Sequence, residues 1–222
     1  MDAPELWPVR LFDQHADLLI VHRRLPHWAQ AGTIALLTFR THDSMPKPVL
    51  DAWFADRARW LRDHGIDPAA PDWKASLERL DGHAVRVFLD AFWNRWHDAL
   101  DACHGACVLR RPEWARIVAD SLHRFDGQRY RMLDFVVMPN HVHVLGSFAD
   151  DEAMLAQSES WKHFTAVQIN RRLKRSGRFW QSDGFDHLVR SEAQFQFLRR
   201  YIAGNPAKAR LAPGEFIHYT RE

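Results

Sequence analysis

The apolar positions of this chain follow two rhythms, and the places where one gives way to the other divide it into strands and helices. Residues 32–40, Gly-Thr-Ile-Ala-Leu-Leu-Thr-Phe-Arg, are nearly all apolar or β-branched, which predicts a buried first strand. After a turn cluster over 41–46, Leu50, Trp53, Phe54 and Leu61 fall at helical spacing and predict a helix over 49–64, ended at Gly65. Residues 66–81 are turn-rich, with Pro68, Pro71 and a short helical piece near Leu77 and Leu80. A second long helix is predicted over 83–102, where Val87, Phe88, Ala91, Phe92, Trp96 and Leu100 form one stripe, read as packing. Together these helices make an insertion at about 47–104.

Beyond the insertion, Pro112 opens a helix that carries Trp114, Ile117, Val118, Leu122 and Phe125 to about Asp126. Asp126-Gly127 is a turn, and the runs 130–138 and 141–148 read as two strands joined into a hairpin at Pro139-Asn140. The acidic residues 150–152 suit a helix start. That helix is expected to reach Arg175 and stop at Ser176-Gly177, with Met154, Leu155, Trp161, Phe164, Ile169 and Leu173 on its apolar side. Residues 178–181 are irregular, 187–190 form a short strand, and Ser191 caps a last helix that passes through Tyr201 to about Gly204. Residues 1–31 read as an arm with short helical pieces and residues 212–222 as a tail.

Composition narrows the picture. A chain of 222 residues with 46% hydrophobic and 12% aromatic residues is long and apolar enough for one large folded domain with an insertion. No stretch approaches the ~20 apolar residues of a membrane span, and Met1-Asp2-Ala3-Pro4-Glu5 lacks the basic start of a signal peptide, so the expectation is a soluble, cytoplasmic protein with no membrane partner. The two cysteines, Cys103 and Cys107, exclude a disulfide scaffold, and with His104 between them they read as a small packed pair in preference to a zinc site. Net charge is only +2, but residues 161–210 hold 11 Lys/Arg against 3 Asp/Glu, a local excess of 11 − 3 = 8. Such asymmetry suits a phosphate-tracking surface, and a solvated basic helix is the bland alternative.

The candidate chemistry centres on Met138-Pro139-Asn140-His141-Val142-His143. In a strand, His141 and His143 share one face while Val142 and Val144 point into the core, so two imidazoles stand together as a metal-ligand pair. About sixty residues on, Tyr201 and Asn205 are i and i+4, stacking a phenol and an amide on one helix face. Read alone, Tyr201 is equally a buried helix tyrosine and Asn205 a helix cap.

With Phe179-Trp180-Gln181 and then Tyr201-Ile202 and Asn205-Pro206 following in order, the chain resembles the HUH single-tyrosine transposases, most closely the REP-associated tyrosine transposases, over roughly residues 32–211. The resemblance implies an α+β, ferredoxin-like antiparallel sheet with packed helices (the HUH endonuclease fold). It implies Tyr201 as nucleophile, a divalent ion, Mg²⁺ or Mn²⁺, held by His141, His143 and Asn205, and single-stranded or hairpin DNA as substrate. It also implies a monomer or homodimer. A phenol of pKa ~10 is only about one part in a thousand ionised at neutral pH, so a cation beside the phosphate has work to do.

The basic stretch with Lys162, Arg171, Arg172, Lys174, Arg175 and Arg178, together with Trp180, interleaves cations with an aromatic in a mix that suits single-stranded or hairpin DNA, and Trp180 is equally a core anchor or a stacking platform. Arg199 and Arg200, directly before Tyr201, are candidates for holding the substrate backbone. The expected activity is metal-dependent cleavage and strand transfer through a 5′-phosphotyrosine. The alternative is a catalytically silent DNA- or RNA-binding regulator on the same fold.

Overall fold

The computed structural model describes residues 9, 11, 19–21, 27–29, 32–182 and 185–222. The chain divides into two compact units, one of residues 1–42 and 107–222, the other of residues 43–106. In the first unit, β1 (Leu19–Val21) and β2 (His27–Ala29) pair as a small antiparallel ribbon. The expected helical pieces of the arm are therefore strands where the arm is described, and the rest of that expectation lies outside the described residues.

The first unit continues through β3 (Ile34–Arg40), and the second unit then contributes α1 (Lys47–Asp63), α2 (Trp73–Glu78) and α3 (Gly82–Asp101). The chain returns to the first unit with α4 (Pro112–His123), β4 (Tyr130–Val137), β5 (His141–Phe148) and α5 (Asp151–Arg172), followed by β6 (Phe185–Leu188), α6 (Glu192–Lys208) and β7 (Ile217–Thr220). The five longer-range strands form one antiparallel sheet in the order β6-β3-β5-β4-β7. Without β7 this is β-α-β-β-α-β with the four strands in spatial order 4-1-3-2, the ferredoxin-like split βαβ. The expected α+β class and antiparallel sheet are met. The fifth strand comes from residues expected to be a tail. Half-buried Ile217 and Tyr219 alternate there with exposed His218 and Thr220, a four-residue pattern too short to register until β4 supplies its hydrogen bonds.

Strand alternation gives the sheet two chemically different faces. On one, Ala35, Leu37, Phe39, Phe135, Val137, Val142 and Val144 form the core with α4 and α5 residues such as Val118, Leu122, Trp161 and Ile169. Tyr130 belongs to this core, its hydroxyl donating to Leu122 O at 2.7 Å, and burial pushes the phenol above its ordinary pKa. The other face carries Thr38 opposite His143, Arg40 opposite His141, and Val136 beside His143, and α6 packs across β4 and β5 on that side.

Three helices end in the same way, with the penultimate bonding pair of a Schellman motif. At α1, Gly65 adopts φ +73°, its N–H donating to Arg62 O (2.9 Å) while Ile66 N–H reaches Leu61 O (2.8 Å), as the sequence predicts. At α5 and α6 the left-handed residue is Lys174 (φ 51°) or Arg210 (φ 54°). The helix expected to run to Arg175 thus ends at Arg172, and the helix expected to stop at Gly204 runs on to Lys208 with Pro206 inside it. Neither end has the glycine that sequence rules look for. Two side-chain expectations also change: Phe164 and Val87 are exposed, not packed.

The second unit packs Leu61, Ile66, Trp73, Leu77, Phe88 and Phe92 together. Asp81 caps α3 by accepting from the N–H groups of Ala84 (3.0 Å) and His83 (2.9 Å), which hold its carboxyl below the ordinary pKa. The Arg57 guanidinium lies over the rings of Trp53, Phe54 and Trp73 at 4.9–5.2 Å, a cation boxed by aromatics. Cys103 and Cys107 are half-buried and form no disulfide among the described residues.

Candidate active site

The turn at Pro139-Asn140 reverses the chain so that Met138 N–H donates to His141 O at 2.8 Å, and β5 begins at His141 in the middle of the sheet. His141 and His143 are buried on the same face, with ring centroids 4.8 Å apart and planes at 75°. Each Nδ1 is engaged by a neighbour that sequence reasoning did not single out. Asn140 Oδ1 lies 2.8 Å from His141 Nδ1, and because an amide oxygen only accepts, it holds the proton on Nδ1 and leaves the lone pair on Nε2. Thr38 Oγ1 lies 2.7 Å from His143 Nδ1. Such partners on the far nitrogen orient a ligating imidazole. Thr38 was invisible as a site residue because only the β3–β5 register places it opposite His143.

Helix α6 brings Tyr201 to the same spot. Ser191 caps it, accepting from Gln194 N–H at 3.1 Å, and Leu198, Ile202, Asn205 and Pro206 form its buried side. Tyr201 Oη lies 3.2 Å from His143 Nε2, with ring centroids 5.3 Å apart, a contact between residues 58 apart in the chain. One turn on, Asn205 is 1% exposed, its Nδ2 lies 3.5 Å from Tyr201 O, and its buried Oδ1 has no hydrogen-bond partner among the described residues. A buried amide oxygen without a partner, one helical turn from the phenol, is a candidate ligand position.

Among the described residues no three His, Cys, Asp or Glu converge as a metal cluster, so an ion here relies on two imidazoles and the Asn205 amide. Imidazole nitrogen suits Zn²⁺ or Ni²⁺ better than Mg²⁺ or Mn²⁺, the amide oxygen suits the latter pair, and a neutral set gains by sharing the ion with a phosphate. The donor types are therefore compatible with a divalent ion that binds together with a phosphodiester.

The remaining candidates separate cleanly. Arg199 is engaged within the protein: its Nε donates to Asp134 Oδ2 (3.0 Å) and its Nη2 to Thr220 Oγ1 and Arg221 O (both 2.7 Å), tying α6 to β4 and to β7 and the residue after it. Lys162 is buried, its amino group donating to Glu159 Oε1 (2.8 Å) and Ser182 O (3.0 Å). Trp180 is buried too; its indole N–H donates to Thr165 Oγ1 (2.8 Å) and its ring packs edge-on against Phe39 at 4.9 Å, which makes it a core anchor and removes it as a stacking surface. The structure leaves Arg171, Arg172, Lys174, Arg175, Arg178 and Arg200 exposed. Gln181 N–H donates to Arg40 O at 2.9 Å and Thr41 bridges Trp180, so the chain after the basic end of α5 runs along the sheet end that carries His141.

Two further residues share this face. Arg40 is a buried cation directly across from His141. His218 on β7 stands beside Val136, and desolvation pushes its imidazole below the ordinary pKa against the opposing pull of Asp134.

No family model matches the chain, and no curated protein matches it. No helix among the described residues is long and apolar enough to cross a membrane. Among solved structures, the chain is similar to that of a REP-associated tyrosine transposase bound to a REP hairpin, at 12% sequence identity and a TM-score of 0.42, over 85% of this chain and 73% of that one.

Proposed function

We propose that this chain is a metal-dependent, single-tyrosine DNA nuclease and strand transferase acting on single-stranded DNA that carries a hairpin. The reading rests on one observation above the others: the Tyr201 hydroxyl lies 3.2 Å from His143 Nε2, although 58 residues separate them. Catalysis belongs in this reading to residues 32–211, with the helical segment at about 47–104 as an insertion.

Tyr201 Oη forms the new bond to phosphorus, and its proton is lost to solvent. The bond from phosphorus to the 3′ oxygen breaks, and the electron pair stays on that oxygen, which takes up a proton as a free 3′-hydroxyl. The 5′-phosphate remains on Tyr201, and the bond energy is kept for rejoining. His141, His143 and Asn205 would hold Mg²⁺ or Mn²⁺, which supplies charge stabilisation at the phosphate. Thr38 and Asn140 fix the orientation of the two imidazoles, and His143 presents its Nε2 to the phenol. Exposed Arg171, Arg172, Lys174, Arg175 and Arg178 track the phosphates of the strand.

The test is covalent capture of hairpin oligonucleotides with single-stranded flanks in the presence of Mg²⁺ or Mn²⁺. A protein–DNA adduct resistant to denaturant is expected from the wild type and absent from Tyr201→Phe and from chelated samples. An adduct that persists in Tyr201→Phe overturns the nucleophile, and equal retention of uncut DNA by both proteins turns the reading into a silent binding protein.

A further inference from the structure

The mechanism above accounts for the phosphate but leaves the neighbouring base without a seat. Helix α6 turns about 100° per residue, so Phe197, Tyr201 and Gly204 fall within one narrow sector, with Arg200 on its flank. Phe197 is 55% exposed, the most exposed large hydrophobic side chain among the described residues, and Arg200 is exposed beside it. At Gly204 an added Cβ would meet nothing within 4 Å, so the helix surface beyond the phenol is open. Phe197 and Tyr201 are separated by about 6 Å along the axis, four residues at the helical rise, which is about the reach of one unstacked nucleotide.

We propose that Phe197 is the stacking platform for the base that flanks the scissile phosphate, with Arg200 holding the adjoining phosphate. This rests on the proposed function, since it places the strand by way of Tyr201. The occupant is a single-stranded base because the exposed ring adjoins a cation and the phenol, and because duplex bases have no free face to offer. A second copy of this chain or an apolar peptide would have no use for Arg200 at the edge. A ring at this position is tolerant of base identity, so it confers selection for unpaired structure and leaves sequence choice to other groups.

The experiment uses the full chain carrying Tyr201→Phe, so that binding is read without cleavage, and a hairpin oligonucleotide with a thymidine tail in which 2-aminopurine is moved one position at a time. Quenching is expected at one position only, lost in Phe197→Ala and kept in Phe197→Trp, with affinity falling ~5–150-fold in the alanine variant. Arg200→Gln is expected to reduce the slope of log affinity against log salt by about 0.7. Unchanged quenching and affinity in Phe197→Ala overturn the inference, whether or not the wild-type adduct forms. Position-specific quenching by a wild type that forms no adduct supports the platform and overturns the cleavage. Failure of the wild type to bind the probe overturns both.

Discussion

Arg199→Met tests how the helix that carries Tyr201 is held against the sheet. The Asp134 side chain is 2% exposed and Arg199 30% exposed, so the substitution strands a carboxylate that solvent barely reaches. It also removes the two 2.7 Å bonds from Nη2 to Thr220 Oγ1 and Arg221 O. Breaking a fully buried pair costs ~3–5 kcal/mol, and hydrogen bonds to charged groups are worth ~1.5–3 kcal/mol. The partial exposure of Arg199 and the remaining Thr220–Asp134 contact pull the expected loss to about 2–4 kcal/mol. For a chain of this size that is a fall in Tm of ~4–16 °C. The double variant Asp134→Leu/Arg199→Met removes both charges and is expected to recover ~1–3 kcal/mol relative to the sum of the single losses. Urea unfolding of the four forms of the cycle measures this, and adduct formation in the same four forms reports whether Tyr201 has lost its seat. Losses within ~0.5 kcal/mol for Arg199→Met, or single losses that simply add, would refute the view that this pair docks α6.

Thr38→Val removes the partner of His143 Nδ1 and keeps its shape, so the metal concentration needed for half-maximal adduct should rise ~10–100-fold, read by Mn²⁺ titration; an unchanged midpoint removes Thr38 from the site. Trp180→Ala should cost ~3–5 kcal/mol in urea unfolding while leaving the affinity of the folded protein for single-stranded DNA unchanged, whereas loss of a stacking residue lowers that affinity by ~1–3 kcal/mol. Binding of single-stranded DNA should follow log salt with a slope near −4.2 if the five exposed cations of the α5 end and Arg200 each meet a phosphate, and Arg171→Gln/Arg172→Gln should reduce it by about 1.4; a slope that does not move places the strand elsewhere. His218 has a folded pKa below its unfolded value, so the unfolded chain binds the proton more readily and stability is lost as pH falls from ~7 toward the lowered value. Urea midpoints between about pH 5.5 and 7.5 should therefore slope less in His218→Gln, and identical slopes would sink this linkage.

What the sequence by itself determined is whatever repeats over a few residues. Alternation in β5 put His141 and His143 on one face, the Pro139-Asn140 break made the hairpin, and four-residue spacing stacked Tyr201 over Asn205. Each follows from one backbone period, and no distant residue is needed to state it. The tertiary structure decided everything that depends on which element lies across from which. Register alone made Thr38 the partner of His143 and set Arg40 across from His141. Packing alone turned Arg199 inward to Asp134 and buried Lys162, although their charge marks both as surface ligands for phosphate, and it decided Trp180, which the sequence leaves open between stacking platform and core anchor, for the core. The ends of α5 and α6 were misjudged because Lys174 and Arg210 take the left-handed turn that glycine usually fills, at a cost that surrounding hydrogen bonds offset. The contact between Tyr201 and His143 bridges both kinds of information: local periods aimed the two groups, and only the docking of α6 across the middle of the sheet closed the distance to 3.2 Å.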